Sequence, residues 1–155
     1  MSWRWVVFFG VVAAGCGHPS ASATGSDFLG DWECTSGTRD IDCGQGVVTA
    51  DLALGPPDVL RFIEGTSTDL FLLVPSRAVV PGLSAEPTCE LAFDAAAYEA
   101  VLHAESFCSD DQGEVIVIHE GVARTVPGQL TLTTDATTSM SCAVKTSAMC
   151  RSIAN

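Results

Sequence analysis

Past its first fifteen residues the chain has no apolar run approaching the ~20 residues that a membrane-crossing helix requires. Basic residues are scarce as well. Seven Lys+Arg stand against 19 Asp+Glu, a formal net charge of −12, and Lys145 is the single lysine. A field of that sign repels nucleic acid and anionic lipid, which excludes both as expected partners. Several catalytic patterns are missing: His-Glu-x-x-His, Gly-x-Ser-x-Gly and a glycine-rich phosphate loop. No C-x-x-C or Cys/His pair has the spacing of a zinc site. Aromatic residues make up only 7% of the chain. Trp3 and Trp5 lie at its start, so Trp32 is the sole indole of the remainder.

The N-terminus carries one positive charge at Arg4, the apolar stretch Val6 to Ala14, and then Gly15-Cys16-Gly17. This is the layout of a secretory signal peptide over residues 1–15. The seam Ala13-Ala14-Gly15-Cys16 resembles the lipobox of bacterial lipoproteins. That resemblance implies cleavage before Cys16 and a diacylglyceryl anchor on its sulfur, the one covalent group expected; no other cofactor is. Gly17 stands where an aspartate would favour retention at the inner membrane, so the implied destination is the outer membrane. Residues 16–26, with the small-residue stretch "GHPSASATGS", read as a flexible tether containing a solvated His18. Loss of Arg4 with the leader makes the net charge −13.

Setting Cys16 aside leaves Cys34, Cys43, Cys89, Cys108, Cys142 and Cys150. An even number in an exported chain predicts three disulfides, each contributing ~2–4 kcal/mol. Their connectivity stays open. Short loops point to nearest neighbours: Cys34–Cys43, Cys89–Cys108 and Cys142–Cys150.

From residue 27 to 155 the pattern has period two, with turn residues every eight to twelve positions. In 46–55, Val48, Ala50, Leu52 and Leu54 share one strand face. Further strands are expected at 28–34, 59–65, 69–74, 89–93, 114–122, 129–135 and 140–146, with a proline-rich loop over 75–88. Residues 94–106 fit either a helix capped by Asp94 or a hairpin strand; the hairpin is favoured because it brings Cys89 opposite Cys108. The expectation is a single all-β domain. It would be an antiparallel meander of eight or nine strands, closed as a barrel or folded as a sandwich.

The opening Gly30-Asp31-Trp32 resembles the G-x-W motif that begins the lipocalin and calycin barrel. The resemblance implies that Trp32 plugs one barrel end beneath a C-terminal arginine, for which Arg151 is placed. The family's second motif has only Thr68-Asp69-Leu70 as a counterpart. The same plug is similar to small periplasmic inhibitors of metalloproteases, and the cysteine layout resembles short myxobacterial lipoproteins. Within the domain the histidines are His103 and His119, the latter beside Glu120, with the two expected on opposite strand faces. Asp110, Asp111 and Glu114 form an acidic turn and a candidate calcium turn; the turn explains them with less, and no metal is expected. Together these features predict a non-enzymatic outer-membrane lipoprotein that works by binding or structural interaction. A carrier of a small apolar ligand and a protease inhibitor are the alternatives. The membrane is met through the anchor alone, and the partner is a protein or a small apolar ligand.

Overall fold

The computed structural model describes residues 25–52, 59–74, 89–109 and 115–153. A single 3₁₀ turn, Ser26–Phe28, precedes ten strands. These are β1 (Gly30–Asp42), β2 (Val47–Asp51), β3 (Val59–Glu64), β4 (Leu70–Val74) and β5 (Cys89–Ala96). They continue with β6 (Glu99–Leu102), β7 (Ser106–Ser109), β8 (Val115–Val126), β9 (Gln129–Thr138) and β10 (Ala143–Ser152). Eight of them close an antiparallel barrel in the order β1-β3-β4-β5-β6-β8-β9-β10, with β10 returning onto β1. The barrel is the realised alternative, and the sandwich is not.

Ten strands occupy eight lanes because two lanes are interrupted. β3 pairs with the first residues of β1 and β2 with the last, Thr38–Asp42. In the same way β6 and β7 share β8, meeting Val122–Arg124 and Val115–Ile118 respectively. Residues 94–106 therefore form no helix. Their first three residues complete β5, a two-residue turn at Ala97 and Tyr98 follows, and the outgoing strand breaks at His103–Glu105.

The alternation of the sequence is the alternation of the wall. Along β9, Leu130, Leu132, Thr134 and Ala136 are buried while Gln129, Thr131, Thr133 and Asp135 face outward. The inward residues form one continuous core that includes Leu60, Leu72, Leu91, Leu132 and Ile118. Phe62 stands between Phe28 and Phe93, with ring centroids 5.9 Å away on each side. Eight strands give an interior about wide enough for side chains such as these to occupy.

The registers define two ends. Gly30, Tyr98, the Pro127-Gly128 turn and Ser152 lie at the lower end; Asp42, Val115, Thr138 and Ala143 lie at the upper. Phe28 is fully buried at the lower end, and its carbonyl accepts a 2.7 Å hydrogen bond from Trp32 Nε1. Gly30 has φ 118°, a conformation that side chains disfavour, which explains a glycine where the chain leaves the 3₁₀ turn.

Two disulfides overturn the nearest-neighbour pairing. Cys34 is bonded to Cys150 and Cys43 to Cys142, in place of Cys34–Cys43 and Cys142–Cys150. A strand rises about 3.3 Å per residue, so residues 34 and 43 sit ~30 Å apart on an extended β1, far beyond bonding reach. Directly across the seam, Cys34 faces Cys150, and Asp42 faces Ala143 just inside the second bridge. Cys108 is also disulfide-bonded. The side chain of Cys89, expected as its partner, lies outside the described residues.

Candidate functional site

On the upper half of β1, each residue shares its wall face with its partner on β10. Arg39 is opposite Thr146, which is buried, so Arg39 points to the concave side of the wall with Gly37 and Ile41. The row continues through Thr134 and Gly121 on β9 and β8. The hydroxyls of Thr134 and Thr146 are 2.5 Å apart. Arg39 Nε is buried and has no hydrogen-bond partner. Among the described residues every other Lys or Arg is ion-paired: Arg61 with Asp31, Arg124 with Glu99, Lys145 with Asp135 and Arg151 with Glu33. Arg39 is thus the one described cation without a carboxylate, and the one on the concave side. On its other flank β2 presents Ala50 opposite Arg39 and Val48 opposite Ile41, and Val48 is largely exposed. The upper mouth is therefore an apolar rim with one guanidinium set into it.

Outside the same wall the chemistry is reversed. Asp40, Glu120 and Asp135 surround Lys145 over a shallow hollow of about 310 Å³. The hydrogen bond to Asp135, its field and those of Glu120 and Asp40 raise the Lys145 pKa above its ordinary value. This cation is held by its own chain, unlike Arg39.

Both domain histidines meet carboxylates. His103 Nδ1 lies 2.7 Å from Asp94. His119 Nδ1 lies 2.6 Å from Glu105, and its Nε2 lies 2.9 Å from Thr137 Oγ1. Acid, imidazole and hydroxyl thus stand in the order of a proton relay, but on an exposed strand face outside the hollow beside Lys145. The register slips between Ile118 and Glu120, which corrects the expectation of opposite faces. The bulge leaves His119 and Glu120 exposed side by side and returns Gly121 to the buried side.

Comparison with family models, curated proteins and solved structures finds no match. What the residues themselves do is all that bears on function.

Trp32 is buried at the lower end. Arg151 does not cover it. Residue 151 pairs with Glu33 across the seam, one step out of phase with Trp32, so its guanidinium faces outward onto the Glu33 carboxylate. Cys16 and the acidic turn of Asp110, Asp111 and Glu114 lie outside the described residues. Among those described, no group of three His, Cys, Asp or Glu is arranged to hold a metal ion.

The polar composition of "TSGTRDID" gives Arg39 no mark of its own. The available signal was its phase: Gly37, Arg39 and Ile41 alternate with Thr38, Asp40 and Asp42. Thr137 escaped for a different reason, since its meeting with His119 depends on the bulge.

Proposed function

We propose that the chain is a lipid-anchored, non-enzymatic binding module of the outer membrane whose recognition surface is the upper mouth around Arg39. The observation that carries this reading is the unpaired guanidinium itself. In a chain of net charge −12 every other described cation has found a carboxylate. Leaving a partly buried charge unpartnered costs free energy unless something pairs with it. A ligand's anion on Arg39 would supply a charge-assisted hydrogen bond and offset that cost.

The surrounding chemistry narrows the ligand. The acidic outer wall repels a small free anion at a distance. An apolar body bearing one carboxylate would gain from contact with Ile41, Val48 and Ala50 what it loses to that repulsion. Such a body could be a short amphiphile or an apolar patch of a protein partner carrying one acid. The continuous apolar core supports this surface reading over a calycin-like carrier, whose ligand needs roughly 300 Å³ of enclosed space.

Octanoate and octanol make the test, followed by backbone amide shifts. Octanoate at millimolar concentration should move the signals of residues 37–41, 48–50 and 144–147, and Arg39→Gln should abolish the response. Equal responses to the acid and the alcohol, or none to either, would remove Arg39 as the recognition group.

A further inference from the structure

Two features of the lower end bear on how the protein sits at a membrane. First, this end exposes apolar side chains on otherwise tight elements. Leu29 follows the 3₁₀ turn and is 44% exposed; Tyr98 in its hairpin turn is 66% exposed and Val126 beside Pro127 is 56% exposed. Ile153, whose N–H donates to the Asp31 carbonyl, is 39% exposed. Leu29, Tyr98 and Val126 border a mostly apolar hollow of about 330 Å³ floored by Trp32, in which Asp27 is the single carboxylate. The upper end exposes Val47, Val48, Phe107 and Met140 as well, so the position of the anchor decides which rim meets lipid.

Second, half of the carboxylates described at this end are neutralised. Asp31, Glu33 and Glu99 are each held by an arginine, Arg61, Arg151 and Arg124. Asp27, Glu64 and Asp69 are its carboxylates without an ion pair among the described residues. The upper half carries Asp40, Asp42, Asp51, Glu120 and Asp135 against Lys145 and Arg39.

The chain's own layout puts a bilayer within reach of that end. Gly25 begins the described domain and its carbonyl caps the turn that precedes Leu29. Between it and Cys16 lie only residues 17–24, which can span at most about 30 Å whatever their conformation. We infer that the lower end, with Leu29, Tyr98, Val126 and Ile153, rests on the surface of the bilayer that holds the Cys16 anchor. The inference rests on the lipid-anchor reading of Cys16. Tyr98 suits the headgroup level, where an apolar ring with a polar tip is at home. Two acyl chains hold the protein at the membrane, so the rim sets orientation. Docked in this way, the barrel stands upright and presents the Arg39 mouth away from the lipid.

Tryptophan placed at either end of the full-length, membrane-expressed protein tests this. Val126→Trp marks the lower end and Val48→Trp the upper, both at exposed positions. The proteins are reconstituted in phosphatidylcholine vesicles with and without brominated acyl chains, and the unsubstituted protein supplies the Trp32 background. Val126→Trp should be quenched at least twofold by the brominated lipid and shifted to the blue, while Val48→Trp should be unaffected. Intact mass and vesicle flotation report the anchor separately. Modified Cys16 with equal responses from the two tryptophans overturns the docking alone. Unmodified Cys16 overturns the anchor reading and the docking with it.

Discussion

Asp31 illustrates how single residues of this barrel are set by their wall partners. It faces Arg61 across the β1–β3 ladder, and the guanidinium donates to both carboxylate oxygens at 2.6 and 2.9 Å. That bidentate bond, with the charge of Arg61 behind it, holds the Asp31 carboxyl below its ordinary pKa. A carboxylate depressed on folding stabilises the native state above its unfolded pKa of about 3.9 and loses that contribution as pH falls through the folded value. Asp31 should therefore titrate below the exposed aspartates in a carbon-detected NMR experiment. Arg61→Gln should return it to the ordinary range and flatten the acid limb of stability below about pH 4. An unchanged Asp31 midpoint in that variant would mean that the ion pair does not persist in solution.

The elements show which instructions are local and which are not. The β8–β9 hairpin turns on Pro127-Gly128, with Gly128 at φ 77° where a glycine is suited. The β5–β6 hairpin makes the same reversal with Ala97 at φ 52°, where an L side chain is strained. Ala97→Gly should accordingly stabilise the protein by about 0.5–1 kcal/mol, and Gly128→Ala should cost about 1 kcal/mol, both read by urea unfolding. The opposite ordering would show that the turn strain is relieved elsewhere. This contrast also marks what the sequence makes legible. Pro127-Gly128 announces its turn, and the alternation of "QLTLTT" announces the wall that follows. The Ala97 turn sits in a run of good helix formers, "DAAAYEAVL", whose propensity is overridden by the pairing of β5 with β6 and of β6 with β8. "TSGTRDID" was hidden in another way. Its polar composition mimics a loop, and only two neighbouring strands, β10 and β2, make it wall. The Arg39 mouth and the His119 relay were illegible for the same reason, since both are made by register.

At the scale of the molecule, the costliest contact is the one that closes the ring, because β1 and β10 lie at opposite ends of the chain. Both identified bridges fall on that seam, joining residues 116 and 99 positions apart. Their contributions should not add simply. With Cys43–Cys142 intact, Cys34–Cys150 closes only the short circuit along β1 and back along β10, roughly 15–20 residues and about 3 kcal/mol by chain entropy. The reverse holds for Cys43–Cys142. Once one bridge is gone, the survivor carries closure of a loop of about 100 residues, which is ~4.7 kcal/mol. Removing either pair as alanines should thus cost about 3 kcal/mol, and removing both about 7–8 kcal/mol, more than twice the single loss. A domain of this size has ~5–15 kcal/mol in hand, so either single variant should fold and the variant lacking both should be close to unfolding. Urea midpoints for the two single-pair variants and the combined one decide it. A combined loss equal to or smaller than the two single losses together would show that the seam is held by its ladder, with the bridges secondary to it.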